Sequence, residues 1–548
     1  MDLNIIKSIR SPIDSRVDAI RSHQSALRDI DAKHVNGDVD LLAEIGYKQE
    51  LKRKFSTFQI FGIAYSIMGL LPSIASVTGT GLASGPAGFV WSWILSSCFI
   101  LLVGISMSEL GSAIPTSGGL YYWTYYYAPE KIRVPLSYMI GLSNSMALCG
   151  GLCSINFGFA EEVLAAAFIN KDGDLNITNP KLYGIFAAGI VSQAIVTCLS
   201  SKNVALLQTV SSVANTGLIV LFFIAVPIGT KVNTSFNDGS FIFGKVENFS
   251  TWPKGWQFML SMMSAVWTIG AFDSCVHMSE EAKNATTGIP IGIIGSITFC
   301  GIVGWFIIIC FTACMNPDVD AVLNSSTGFP FAQIVYDSLG KKWAVAFMAL
   351  IAICQWLMGS SILAALSRQI WAFARDNGLP FHSIVKVVNK QLAAPIRAVI
   401  FAGLLGLTVG CLTFGGEQCQ SALFSLGVAG NYLAWCLPVF LRLTSGRDRF
   451  KPGPFYLGKF SEPLNWVTCL WGAFIILLSM FPSGKSVDKE TMNYTVVITG
   501  GCWVLSLVYF YCYKYKYYFG PRSNLHDDDD SSVDDITAVP LDEKLESA

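Results

Sequence analysis

The residues best suited to chemistry lie where apolar sequence surrounds them. In the stretch from Gln257 to Pro290 an apolar helical pattern loses its logic at Thr268-Ile269-Gly270-Ala271-Phe272-Asp273, then resumes and exits through Ser279-Glu280-Glu281-Ala282-Lys283-Asn284. A glycine break at membrane depth frees N–H and C=O groups where water is absent. Such a break survives only when buried in protein or lining a cavity. An ionisable side chain beside it marks function by default. A second interruption stands at Gly69 and Pro72 within FGIAYSIMGLLPSIASVTGTGL. Proline removes a donor and disfavours the helical conformation of the preceding residue. Broken helices of this kind hold substrates in secondary transporters.

The elements that must position these groups follow from composition. The 548-residue chain is 52% hydrophobic and 14% charged, with mean hydropathy +0.49. Soluble domains carry about 25% charged residues, so a polytopic helical membrane protein is expected. Apolar runs near the required ~20 residues predict twelve spans, at about 56–83, 87–109, 135–167, 181–200, 204–229, 256–282, 290–314, 343–374, 395–415, 419–441, 464–481 and 492–514. Spans one and six both break, five spans apart, which points to two inverted repeats, 55–229 and 256–441, with a site between them. Spans eleven and twelve occupy 442–514, flanked by an N-terminal tail (1–54) and an acidic C-terminal tail (515–548) containing Asp527–Asp530. Both tails read as cytoplasmic and unstructured, with Leu41–Lys54 a candidate short helix against the membrane or plugging the inner mouth. With the N-terminus inside, 28 of the 37 Lys and Arg fall on the inner side, as the positive-inside rule requires. Most of the 15 cysteines lie within apolar runs and read as small apolar groups. No cofactor and no metal site is expected. The start MDLNIIKSIRSPIDSR lacks a signal-peptide core.

Three blocks identify the chain as resembling a family. They are Glu109-Leu-Gly-Ser-Ala-Ile-Pro115-Thr-Ser-Gly118-Gly119-Leu-Tyr121-Tyr122-Trp123, then Ser279 to Asn284 with Pro290, then Ser367-Arg368 with Ala374-Arg375-Asp376-Asn377-Gly378-Leu379-Pro380. In this order they resemble the amino acid–polyamine–organocation superfamily. Phe272-Asp273, His277 and Glu280-Glu281 resemble its amino acid/choline branch. LLAEIGYKQELKR, SIMGLLPSIAS, GGLYYWTYYYAPE and TSGRDRFKPGPFYLGK are similar to fungal 4-aminobutyrate (GABA) permeases. The resemblance implies an all-α LeuT-like fold of twelve spans with discontinuous spans one and six, and proton-coupled uptake of small amines or amino acids.

A zwitterionic substrate needs both of its charges satisfied in low dielectric. Amides of Gly69, Leu70, Leu71 and Ser73, at the start of a half-helix, suit a carboxylate. Carbonyls of Thr268, Ile269 and Gly270, and those of Ser66 and Ile67, suit an ammonium. Trp267 and Phe272 are candidates to cap it through cation–π attraction; ordinary packing is the alternative for each. Asp273 is read as an ammonium ligand, a proton carrier or a structural pin of the break. Glu161 and Glu162 stand near the outer end of span three as candidates to attract cationic substrate or form a proton entry, or as a solvated helix end. Asn144, Gln355 and Asn431 are more often helix ties. Glu109, Glu280, Glu281, Lys283, Arg368 and Arg375 are read as one inner ion-pair gate and clamp. His277 is a candidate proton group, with a satisfied buried histidine the commoner case. The span-five neighbourhood Ser211 to Thr216 lacks a lysine that some proton-coupled relatives carry; Ser211, Ser212 and Asn215 are read as sodium oxygens or as hydrogen-bond partners of span one.

The reading is therefore a secondary active permease for GABA or a related ω-amino acid. A choline, polyamine or other amino-acid permease, or a non-transporting nutrient sensor, is the alternative. No nucleophile elbow, HExxH or P-loop occurs, so an enzyme is not expected. The lipid bilayer is an expected partner, with a ubiquitin ligase or trafficking adaptors on the tails. The plasma membrane is favoured over the vacuolar one.

Overall fold

The structure is a computed structural model; it describes residues 37, 40–44, 46–389, 391–392, 394–415, 417–485 and 492–522. The expectations for residues 1–36 and for Asp527–Asp530 lie outside these. Helices dominate, in the order α1 (Thr57–Met68), α2 (Leu70–Leu82), α3 (Gly85–Ala113), α4 (Gly119–Tyr127), α5 (Arg133–Asn170), α6 (Asn179–Thr197), α7 (Ser201–Asn233), α8 (Gly239–Gly244), α9 (Lys254–Ser261), α10 (Met263–Thr268), α11 (Ser274–His277), α12 (Ala285–Cys314), α13 (Val319–Leu323), α14 (Pro330–Arg375), α15 (His382–Val385), α16 (Ile396–Gly410), α17 (Glu417–Leu443), α18 (Ser461–Leu478) and α19 (Thr495–Cys512). Among the described residues, nine helical segments are long and apolar enough to cross a membrane, taking Thr57–Leu82 as one. The other three expected spans take different forms. Residues 181–200 lie largely in α6, 395–415 centre on the 15-residue α16, and 256–282 is divided among α9, α10, α11 and a 3₁₀ turn at Ser279–Glu281.

The chain turns where sequence removes a helical partner or inserts a positive φ. Ser56 and Gln59 form a reciprocal cap that starts α1. Gly69, at φ 39°, separates α1 from α2, a conformation that costs glycine little. A second break spans Ile269 to Asp273, with Ala271 at φ 52°. The core is helix on helix. α14 packs on α5 and α7, and α12 on α3 and α1. A side chain at Gly104 would collide with Ile297, so a glycine allows α3 and α12 their close crossing. α19 buries only 22% of its apolar window, which leaves Val497, Leu505 and Tyr511 exposed, as suits a lipid-facing helix.

Residues before α1 are not the helix expected over Leu41–Lys54. Helix occurs at 40–44, and the chain from Tyr47 to Phe55 then runs without regular structure across the end of the bundle. The Lys54 and Phe55 amides donate to Glu281 O at 2.8 and 3.0 Å, and the Lys283 amide returns a bond to Phe55 O at 2.9 Å. Backbone pairing wins over local helix propensity because the turn after α11 offers unpaired peptide groups.

Glu109 is tied differently from the expected cluster. It accepts from Arg442 at 2.8 Å, Ser461 at 2.7 Å and Asn465 at 3.2 Å. It is thus bound to α17 and α18, not to Arg368 or Arg375. Removing one partner of such a buried pair strands a charge and costs about 3–5 kcal/mol. Arg442→Met should therefore lower the unfolding temperature of the purified protein sharply, and Glu109→Gln in the same chain should recover much of the loss. Equal stability of Arg442→Met and wild type would show that the pair does not hold these helices.

Candidate functional site

A cavity opens at the second break. Its wall includes Trp267, Thr268, Gly270 and Ala271 from the break, Ile67 from α1, Gly151 and Ile155 from α5, Met358 and Ile362 from α14, and Gly427, Asn431, Tyr432 and Trp435 from α17. Of the expected substrate residues, Ile67, Trp267, Thr268 and Gly270 reach this wall. Trp267 packs on Phe424 with ring centroids 4.4 Å apart. Phe272 lies behind the cavity against Trp435, at 4.3 Å. The α17 contribution other than Asn431 escaped sequence reading, because Gly427, Tyr432 and Trp435 look like ordinary apolar helix.

The first break is occupied by its own neighbours. The Gly69 amide, assigned to a substrate carboxylate, donates to Tyr65 O at 3.1 Å. Ser73 Oγ donates to Met68 O at 2.7 Å. Leu70, Leu71 and Ser73 are buried, and the Met358 thioether stands 2.6 Å from where a Gly69 side chain would begin. Ser66 shares hydrogen bonds with Ser211 and Ser361. Ser361 donates on to Gln208 at 2.7 Å. Ser212 Oγ donates to Gln208 O at 2.8 Å, and Asn215 Nδ2 to Ser211 O at 3.0 Å. The last two bonds stay within α7; the Ser66–Ser211–Ser361–Gln208 contacts, with Ser212 Oγ donating to Gly62 O at 3.4 Å, tie α1, α7 and α14 together. Ile269, the first residue of the break, is buried, its amide donating to Ala265 O at 2.8 Å.

Asp273 is fully buried at the head of α11. Its Oδ2 accepts from Asn144 Nδ2 at 2.8 Å and lies 3.4 Å from His277 Nε2. Asn144 also donates to Asn431 Oδ1 at 3.1 Å, so one amide joins the cavity wall to the aspartate. Gln355 donates to Ile155 O at 3.1 Å, a bond between α14 and α5.

Four of the remaining charged candidates form two buried pairs after α11. Arg368 Nε donates to Glu281 at 2.8 Å; Arg375 holds Glu280 with two bonds of 2.9 and 3.1 Å. Arg375 also stacks over Tyr47 at 4.0 Å and Trp371 at 4.7 Å. Beside it, Asp376 accepts from Tyr47 at 2.9 Å, Tyr121 at 2.7 Å and the Arg522 amide at 3.2 Å. Burial pushes the Asp376 carboxyl above the usual carboxylate range. Lys283 joins this region through its backbone. Glu162 is fully buried, with neither oxygen hydrogen-bonded among the described residues, so it is not a solvated helix end; Glu161 is part-buried.

Residues 55–502 match the amino acid permease family. The chain belongs to that family. It is 57% identical to the GABA-specific permease of Saccharomyces cerevisiae over 94% of this chain and 92% of that protein. An uncharacterized amino-acid permease of Schizosaccharomyces pombe is 35% identical over 88% of each chain. A putative polyamine transporter of Candida albicans is 30% identical over 91% of this chain and 92% of its own. The chain is thus an integral, multi-pass membrane transporter of the amino acid–polyamine–organocation superfamily, not an enzyme.

A Cβ at Gly270 would stand 3.0 Å from Trp267 O, on the cavity wall. Gly270→Val should therefore abolish uptake while the protein reaches its membrane in normal amount. Uptake at the wild-type rate by a normally delivered variant would remove Gly270 from the site.

Proposed function

We propose that this permease imports GABA or a related ω-amino acid by alternating access, coupled to protons, across twelve spans with both termini in the cytoplasm. The observation that carries the reading is the cavity at the second helix break, walled by Thr268, Gly270 and Asn431, with Asn144 joining Asn431 to a buried aspartate. Peptide carbonyls suit a primary ammonium, and aromatic faces add cation–π attraction. The similarity to a GABA-specific permease over nearly the whole chain favours GABA among small amines. The Glu280–Arg375 and Glu281–Arg368 pairs then form the closed inner gate, and the residues 46–55 crossing them a latch upon it. Glu161 and Glu162 remain candidates for the outer proton path, the plasma membrane for the location, and ubiquitin-ligase or trafficking adaptors for the tails.

Polyamine transport is the second reading, since a relative with that description is 30% identical. A diamine has no carboxylate, so it needs no donor partner at the far end of the cavity.

The test is counterflow in liposomes holding the full-length protein, with labelled GABA, putrescine and choline. Saturable GABA exchange is expected, and its absence ends the GABA assignment. Asp273→Asn should raise KM for GABA or flatten the pH dependence of uptake. No change in either would leave Asp273 a structural pin.

A further inference from the structure

We propose that Asp273 and His277 form a single-proton site, with Asn144 linking it to the substrate cavity and Ser117 to the Glu280–Arg375 pair. This rests on the proton-coupled reading above and assigns its residues. His277 is fully buried. Its Nδ1 lies 3.1 Å from the carbonyl oxygen of Ser117, and a carbonyl only accepts, so Nδ1 carries a hydrogen. The opposite nitrogen, Nε2, lies 3.4 Å from Asp273 Oδ2. The contact is not a hydrogen bond in this structure, so a neutral ring leaves an ionised carboxylate uncompensated across that gap. One further proton, on Nε2 or on Oδ2, turns the contact into an attraction.

Charge balance gives the same result. Asp273 Oδ1 has no hydrogen-bond partner among the described residues. Asn144 is the one side-chain hydrogen-bond donor described on the carboxylate. An uncompensated buried charge is costly, and one proton on the pair cancels it. The surrounding ionisable groups do not supply that compensation. The Cys275 thiol lies on the same turn. Glu280 and Glu281 follow it and already hold Arg375 and Arg368 from α14. Of the other helices packed on α11, α1 carries only Tyr65 and α12 only Cys300, Cys310 and Cys314 as ionisable groups. On α5 and α17, which reach the pair through Asn144, the phenols of Tyr138 and Tyr432 and the thiol of Cys149 offer no cation, and Arg442 is held by Glu109.

The pair is also wired in both directions. Asn144 bonds both Asp273 and Asn431 on the cavity wall. Ser117, which receives the imidazole on its carbonyl, donates its own amide to Glu280 Oε1 at 3.1 Å. A substrate that draws on Asn431 therefore changes the donor seen by Asp273. Loss of the proton from His277 changes the loop that holds Glu280 against Arg375. The proton enters from water reaching the open cavity on one side, rests between Nε2 and Oδ2, and leaves to water on the other; no covalent bond to carbon changes.

The test uses full-length protein in liposomes with a pH-sensitive dye inside. Wild type should carry protons in with substrate under an inward gradient. His277→Gln can still donate to Ser117 but cannot hold the proton. Its gradient-driven accumulation should fall to the level seen without a gradient, while substrate exchange at equal pH persists. Wild-type accumulation and pH profile in that variant would overturn the proposal. Should the variant fail to fold, the wild-type measurement still decides, since substrate entry without proton entry refutes it. If wild type ignores GABA but exchanges putrescine or choline, the substrate reading fails, and the same comparison run on that amine decides the proton site.

Discussion

A peptide group without a partner in a low-dielectric interior must be satisfied or must serve a ligand. That constraint organises this molecule. At Ile269 to Asp273 the helix ends, its second half survives only as the four-residue α11 and a 3₁₀ turn, and the chain leaves on the Asn284 turn. The carbonyls that follow α11 are taken up by the chain before α1. The strap at Lys54 and Phe55 satisfies Glu281 O, Arg53 satisfies the carbonyls of Ser279 and Ala282, and Gln49 that of Glu280. Thr268, Gly270 and Ala271 border the cavity.

The two breaks are unequal in this conformation. The first is filled by Met358 and by the hydroxyl network of Ser66, Ser211 and Ser361. The second borders the cavity. The carboxylate of an amino-acid substrate would find the first break only after Met358 moved, a single flexible thioether side chain suited to such movement. Two buried arginine–glutamate pairs fasten the chain that follows α11 to α14. Pairs of this kind are poor sources of stability but define one arrangement against another, which is what a gate between two states needs.

The breaks are legible in the sequence because glycine and proline weaken a helix wherever they fall inside it, and Gly69 and Gly270 stand at or beside the turns. Asp273 is legible for its charge alone. Its partners are not: Asn144 lies 129 positions away and Asn431 on another helix again. Sequence spacing carries no information about helices that meet only through packing. The same limit hides Arg442 as the partner of Glu109, and Tyr432 and Trp435 as cavity wall, since aromatic residues in an apolar helix read as core. The strap defeats local reasoning for a different reason. LLAEIGYKQELKR has good helix formers, yet the unpaired carbonyls beyond α11 outcompete its own helical bonds.

The most direct measurement is a density map of the full-length protein with GABA bound. Ligand density is expected against the carbonyls of Thr268 and Gly270, within reach of Asn431, with span six discontinuous at Ile269 to Asp273. Ligand density remote from that break, or a continuous helix through it, would contradict the account.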